Sequence, residues 1–508
     1  MQAIFDQGDA APCPSPFNMA SHVLAHAADL PDKVALCVIA QDRADTWTYA
    51  RLESAVRGTG TGLLAAGFKR GDILLMRLGN TVDFPLAYLG AIAVGLVPVP
   101  TSSQLTAPEV DKMVAQLSPA GILHDPRVAC PEDTSLPVID TDALAAMRDL
   151  PPAEYAMGDP DRLAYIIYTS GTSGIPRAVM HAHRAIWARQ MMHQGWYGLT
   201  AADRLLHAGA FNWTYTLGTG LMDPWSVGAT ALIPAEGVAI EALPQLLAKH
   251  QATIFAAAPG VYRKILSHHD KMNLPTLRHG LAAGEKLSDR VRQLWNTATG
   301  TPIFEAYGMS ECSTFISGSP AHPATQGTLG RPQDGRRVAI LGPDGPVELG
   351  AEGTIAVAGT DPGLMLGYFG AEAETAARMQ GDWFLTGDQG MMDADGQITY
   401  LGRADDMMNA GGYRVSPLEV EAALLTHPAI REVGVTDIEV KQDARIIVAF
   451  YVGHPTDEAD LKAFAETCLA RYKQPRVYIQ LEALPAGANG KILRRALKPI
   501  YEARHGQA

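Results

Sequence analysis

The chain has 508 residues, of which 47% are hydrophobic and 19% charged, and its 41 basic against 54 acidic side chains leave a net charge of −13. That length exceeds one ordinary core and implies two or more domains. The acidic balance argues against a nucleic-acid surface and for a soluble globular protein.

The opening stretch MQAIFDQGDAAPCPSPF lacks a basic start and an apolar centre, so no signal peptide is expected and a cytoplasmic location is. Five scattered cysteines, Cys13, Cys37, Cys130, Cys312 and Cys468, show no CxxC spacing. They suit a reducing compartment and carry no metal signature. Hydrophobic periodicity predicts a helix over 19–28, a strand over 34–39, a helix over 50–66 ended by Gly67, and a strand over 73–78. The uncharged run 84–103 is long enough to span a membrane. Pro85, Gly90, Gly95, Pro98 and Pro100 divide it into a helix and a strand, so no integral membrane contact is expected.

Leu163-Ala164-Tyr165-Ile166-Ile167-Tyr168 reads as a buried strand. It runs into Thr169-Ser170-Gly171-Thr172-Ser173-Gly174, a stretch with no bulky side chain, and Arg177 follows with a fixed positive charge. Glycine frees the backbone to present N–H groups, and Ser and Thr add hydroxyl donors, so such a loop can wrap a triphosphate. Ser/Gly-rich segments alone are usually linkers, and no Walker A pattern is present. Residues 1–160 and 162–320 alternate strand and helix patterns, as two α/β units would. The span 338–402 is β-rich. A helix over 417–425, a strand pair over 432–452 and a helix over 458–471 make a small α+β domain, with a junction between Gly402 and Asp406.

The loop resembles the phosphate-binding loop YTSGTTGxPKG of the acyl-adenylate-forming superfamily, which holds acyl-CoA synthetases, peptide-synthetase adenylation domains and luciferases. Arg177 stands where Lys is usual there, and Ala178 where Gly is usual. Arg keeps the charge but is a planar fork. Four further motifs fall in the superfamily's order. Tyr307-Gly308-Met309-Ser310-Glu311 resembles YGxTE, and the resemblance implies that Tyr307 stacks on adenine, Ser310 touches the α-phosphate and Glu311 binds Mg²⁺. Trp383 to Asp388 resembles WxxTGD, implying that Asp388 bonds the ribose hydroxyls. Gly402-Arg403-Ala404-Asp405-Asp406 and Gly411-Gly412-Tyr413-Arg414-Val415 resemble GRxDDxI…GxRI; these imply a ribose contact for Arg403, a hinge at Asp405 and a pantetheine tunnel at Gly411 and Gly412. Pro485 to Lys491 resembles the closing motif whose Lys, here Lys491, acts in adenylation.

The resemblance also places the acyl pocket along 207–216, with Phe211, Asn212, Trp213 and Tyr215, and its floor against the adenine at Ala283, Gly284 and Glu285. Aromatics with small residues suit a compact apolar acid, while Trp213 and Tyr215 read equally well as core aromatics. The implied fold is α/β. A large N-terminal domain (1–402) has two α/β subdomains and a β-barrel-like piece, and a small mobile α+β domain (403–508) follows. The implied activity is acyl-CoA synthesis from an aryl or short- to medium-chain acid with ATP, Mg²⁺ and CoA, closest to the benzoate and medium-chain branch. A homodimer is compatible with it. Three other readings stay open: loading of a carrier-protein thiol, nucleotide binding without catalysis, and an oxidative luciferase-like reaction.

Overall fold

The computed structural model describes residues 1–8, 10–131, 135–169, 177–404, 406–410, 413–441, 444–486 and 492–505. Two compact units are formed: Phe5–Val338 with Val357–Phe384, and Met1–Ile4 with Ala339–Ala356 and Leu385–Ala508.

In the larger unit, Arg204–His207, Thr230–Pro234, Ile254–Ala257, His279–Ala283 and Ile303–Met309 form the parallel centre of a nine-stranded sheet. Their sequences are near-continuous apolar runs, as strands buried on both faces require; every residue of Ile254–Ala257 and His279–Ala283 is buried. The expected strand Val34–Ile39 forms with those bounds but joins this sheet rather than one confined to the first 160 residues. It lies parallel to Thr230–Pro234, and Ala44–Thr48, which the sequence reading passed over, pairs beside it. A four-stranded parallel sheet holds Val97–Pro100, Ile73–Arg77, Gly121–His124 and Val138–Asp140.

The helices Tyr49–Ala65 and Asp83–Ala93 pack together, and a Cβ on Gly90 would sit 2.9 Å from the Val56 carbonyl oxygen. Thr48 caps the first by accepting the Arg51 N–H. Residues 84 to 93 of the second are all buried, so its apolar run is core. Among the described residues no helix is long and apolar enough to cross a membrane. The predicted helix over 19–28 is α-helical only over Met19–Val23 and continues as a 3₁₀ turn, Ala25–Ala27.

The strand Leu163–Thr169 is half of a hairpin. It pairs antiparallel with Arg177–Ala182, Thr169 opposite Arg177, and Gly367–Tyr368 pairs on the far side of Arg177–Ala182. In the smaller unit, Ile430–Lys441 and Ala444–Gly453 pair antiparallel, and Val477–Gln480 adds a parallel strand. The helices Pro417–Leu424 and Glu458–Cys468 supply Val420, Leu424, Leu461 and Ala465 to its core. Pro417 opens its helix behind the Ser416 cap, where proline's missing N–H costs nothing.

Candidate active site

Open parallel sheets bind ligands beyond the carboxyl ends of their strands. There the larger unit gathers the predicted residues. His207 lies opposite Ala256, Ala257 opposite Ala282, and Ala283 opposite Ala306. Gly284 and Glu285 therefore leave one strand beside Tyr307 and Gly308 on the next. Gly284 has φ +96°, and no atom lies within 4 Å of where its Cβ would be. Glu285 accepts from the Gly260 N–H at 3.0 Å and from Arg263 Nη2 at 3.3 Å, so its carboxylate caps the helix Pro259–Leu266.

Tyr307 packs edge-on against Phe315 at 5.4 Å. Gly308 is obligatory: a Cβ there would lie 2.1 Å from the Ser313 carbonyl oxygen, at the point where the register of the two strands shifts. The Ser310 side is exposed, and its carbonyl accepts from His181 Nε2 at 2.7 Å. Burial lowers the His181 pKa to about 4, so this ring is a neutral donor stacked on Tyr165 at 4.9 Å. Glu311 Oε1 accepts from Tyr368 Oη at 2.8 Å. The Arg177 guanidinium lies 5.1 Å from the centroid of that same Tyr368 ring, and its Nε meets Glu374 Oε2 at 2.8 Å. Arg177, Tyr368 and Glu311 thus form one connected set where Arg177, opposite Thr169, opens the second strand of the hairpin. Ser170, Gly171, Thr172, Ser173 and Gly174 lie outside the described residues, and Thr169 ends the first strand. Arg177→Ala is expected to weaken ATP use by about 10²–10³-fold, the scale of one lost charge-stabilising donor. Arg177→Lys should retain substantial activity, and pyrophosphate release against ATP concentration reads both.

The residues expected to line an acyl pocket divide. Phe211 is buried with Leu217, Leu221 and Trp225 in the core cluster of the first helices, and its N–H donates to Asn80 Oδ1 at 2.8 Å. Asn212 Nδ2 donates to Ser103 Oγ at 3.0 Å. Trp213 and Tyr215 turn the other way, edge-on to each other at 5.1 Å and to His207 at 5.9 and 4.5 Å. Tyr215 packs against the cluster that contains Ala283 and Ala306.

In the smaller unit, Asp388 and Arg403 stand directly opposite on antiparallel strands, with Arg403 Nε 3.6 Å from Asp388 Oδ1. Asp388 is buried, and its N–H donates to Thr386 Oγ1 at 3.0 Å. Asp405, Gly411, Gly412 and Lys491 lie outside the described residues. The ends of the Lys491 loop are described: Ala486 bridges Ile492, and the Leu493 N–H donates to the Pro485 carbonyl at 2.8 Å.

A strand hairpin flanking the Ser/Gly-rich stretch, a Tyr-Gly-x-Ser-Glu segment and an Asp–Arg strand pair follow in this order, and the chain matches a known family. Residues 23–369 match the model of the AMP-binding enzyme, and residues 419–491 match that of the AMP-binding enzyme C-terminal domain. The chain belongs to the AMP-binding enzyme family. It is 30% identical to a benzoate–CoA ligase of Thauera aromatica, across 90% of this chain and 91% of that protein. It is 29% identical to a 3-hydroxybenzoate–CoA ligase of Aromatoleum sp. (strain CIB), across 90% and 92%. The crystal structure of a benzoate CoA ligase from Burkholderia xenovorans LB400 superposes with a TM-score of 0.83 at 27% identity, covering 95% of this chain and all (100%) of that one.

Several groups of this AMP-binding enzyme escaped the sequence reading. Tyr368 arrives from a two-residue strand with no pattern of its own. Arg189, its side chain 13% exposed, and buried Asp223 form an ion pair beside two π-helical segments, His193–Tyr197 and Thr216–Met222. π-Helical turns are rare and often mark functional sites, but nothing in a single sequence signals them. Glu305 is buried, accepting from the Leu287 N–H at 2.8 Å and Arg292 Nη2 at 3.0 Å, and so ties the Tyr307 strand to the segment after Glu285. Burial raises its pKa to about 7 against these favourable contacts. A raised carboxyl pKa means that the folded state holds its proton more tightly than the unfolded chain does. Glu305 therefore favours folding at low pH, and that contribution is lost as pH climbs from about 4.5 through about 7. Glu305→Gln should flatten the pH dependence of stability in this window, read by urea midpoints at pH 5 and pH 8.

Proposed function

We propose that this AMP-binding enzyme is an ATP-dependent ligase joining an aryl or short- to medium-chain carboxylic acid to CoA through an acyl-adenylate. The observation that carries this reading is the connected set Arg177, Tyr368 and Glu311 where Arg177 opens the second strand of the hairpin, in the same unit as the aromatic rings of Trp213 and Tyr215. Its first half-reaction brings an anionic carboxylate oxygen against an already anionic α-phosphate and expels pyrophosphate. Cations and hydrogen-bond donors must offset that charge.

Arg177 supplies one fixed cation, and Lys491 is proposed as the second. Ser310 and the 169–174 loop donate to phosphate oxygens, Tyr307 covers the adenine, and Asp388 with Arg403 engages the ribose. Tyr368 occupies one oxygen of Glu311. A single carboxylate is the donor set Mg²⁺ accepts when phosphates and water complete its shell, and among the described residues no group of three or more His, Cys, Asp or Glu could hold a metal by itself. Mg²⁺ at Glu311 would neutralise the departing pyrophosphate.

In the second half-reaction the CoA thiol attacks the acyl carbonyl and AMP leaves. The Gly411-Gly412 turn is proposed to line its approach. The proposed location is the cytoplasm, which the five free cysteines suit. Acid-dependent AMP release across a panel of carboxylic acids tests the reading. Benzoate-sized and hexanoate-sized acids should outrank palmitate in kcat/KM, because His207, Trp196, Trp213 and Tyr215 crowd the acyl end with rings. Palmitate as the best substrate would overturn it.

A further inference from the structure

One side chain outside the five motifs holds the Ser310–Glu311 peptide. His181 Nε2–H donates to the Ser310 carbonyl at 2.7 Å. A carbonyl can only accept, so the neutral ring carries its hydrogen on Nε2 and presents a bare Nδ1. That Nδ1 is buried and has no hydrogen-bond partner among the described residues, in a residue only 3% exposed. The ring stacks on Tyr165, its partner across the hairpin, at 4.9 Å.

Packing alone does not account for an imidazole at this position. An apolar side chain would fill the space against Tyr165 without a buried lone pair left unmatched, and unmatched buried polar atoms are costly. The Ser310 carbonyl has no need of the ring for solvation either, because Ser310 is exposed and water can serve it. His183, two residues on, is different. Its Nδ1 accepts from the Met19 N–H at 3.0 Å and so ties the first helix to the segment after the strand. His181 makes its one hydrogen bond to the Ser310 carbonyl instead.

A peptide unit is planar from one Cα to the next. Fixing the Ser310 carbonyl therefore orients the Cα atoms of both Ser310 and Glu311. The following peptide is pinned from another segment: the Met365 N–H donates to the Glu311 carbonyl at 2.7 Å, and Tyr368 Oη donates to Glu311 Oε1 at 2.8 Å. His181 also stands four residues after Arg177 in the strand Arg177–Ala182, and alternate residues of a strand line one face. One face of one strand thus presents the cation at its start and, further along, the donor that sets Ser310.

We infer that His181 is a positioning residue for adenylation: through the Ser310 carbonyl it sets the Ser310 hydroxyl and the Glu311 carboxylate relative to Arg177. It touches no reacting atom itself. This rests on the ligase reading above.

The experiment uses the full chain with His181→Leu, which removes the donor, and His181→Gln, which returns an N–H donor near the place of Nε2. Acid-dependent ATP–pyrophosphate exchange with the best acid of the panel above gives kcat and the KM for ATP. Conversion of the matching acyl-AMP to thioester and the urea midpoint are measured beside it. His181→Leu should lower the exchange kcat by about 10–10²-fold, the scale of a small misplacement at a reacting centre. The KM for ATP should stay within about threefold of wild type, because what is lost is alignment for the transition state rather than ATP binding. Thioester formation from supplied acyl-AMP should stay within about threefold as well, since Ser310 is asked to stabilise charge only in the first half-reaction. His181→Gln should recover most of the lost kcat. His181→Leu should unfold at or above the wild-type urea midpoint, because it removes the unmatched lone pair.

The inference is overturned if His181→Leu leaves the exchange kcat unchanged, if His181→Gln is no faster than His181→Leu, or if both half-reactions slow equally. It is overturned too if His181→Leu unfolds at clearly lower urea, which would mark the ring as a packing group. Those outcomes leave the ligase reading standing. If the wild type catalyses no acid-dependent exchange with any acid of the panel, the ligase reading itself fails, and the inference with it.

Discussion

Lys491→Ala is expected to slow acyl-adenylate formation by about 10³-fold or more while still converting supplied acyl-AMP to thioester. A positioned cation matters most where charge accumulates, and charge accumulates at the α-phosphate only in the first half-reaction. The flanks of Lys491 are anchored on both sides. Ala486 bridges Ile492 before it can fray, and Arg494 Nη2 grips both carboxylate oxygens of buried Glu421 at 2.8 and 2.7 Å. Losing the ammonium group should therefore leave the loop's base in place and isolate the charge effect. Gly411→Leu should give the opposite phenotype, forming acyl-AMP and stalling before thioester, because a side chain there would obstruct the thiol. Asp405→Pro should also impair thioester formation selectively, since proline fixes φ at a proposed hinge. Single-turnover assays of each half-reaction separate these outcomes. Equal slowing of both halves by Lys491→Ala would remove the case for one small domain serving the two steps with different faces.

The elements legible in the sequence were those whose periodicity coincides with burial. Val34–Ile39 was readable to the residue because a strand buried on both faces is written as an unbroken apolar run. The Asp83–Ala93 helix was separable from a membrane span because Gly and Pro punctuate the run. What the sequence could not show is which sheet a strand joins. Val34–Ile39 crosses to a partner some 200 residues downstream, and pairing at that distance leaves no local trace. The candidate site was legible only through the order of the motifs in the resemblance, and the forced Gly308, whose missing Cβ lets Ser313 approach, shows itself only in the structure. Phe211 and Tyr215 belong to one motif yet face different clusters, because the chain turns at 211–213, before the π-helical Thr216–Met222 begins. A reading based on 3.6-residue periodicity has no means to place them.

Asp223→Leu should destabilise the larger unit by about 3–5 kcal/mol, because it leaves the Arg189 guanidinium buried without its counter-charge. Asp223 is fully buried, and it also accepts from Tyr197 Oη at 2.7 Å, while Tyr197 meets Thr219 Oγ1 at 3.0 Å. One carboxylate therefore holds the guanidinium and links the two π-helical segments. Arg189 also donates to Ser313 Oγ, two residues beyond Glu311, so the variant should raise the KM for Mg·ATP as well as lowering the urea midpoint. The counterpart Arg189→Met should cost a similar amount, since it strands the carboxylate instead. Replacing both, Arg189→Met with Asp223→Leu, removes two desolvation penalties together and fills the volume with apolar atoms. Buried pairs replaced in this way are often no less stable than the original, so the double variant should recover most of the loss in the double-mutant cycle. Additive single losses would mean that the two side chains stabilise the fold through separate partners.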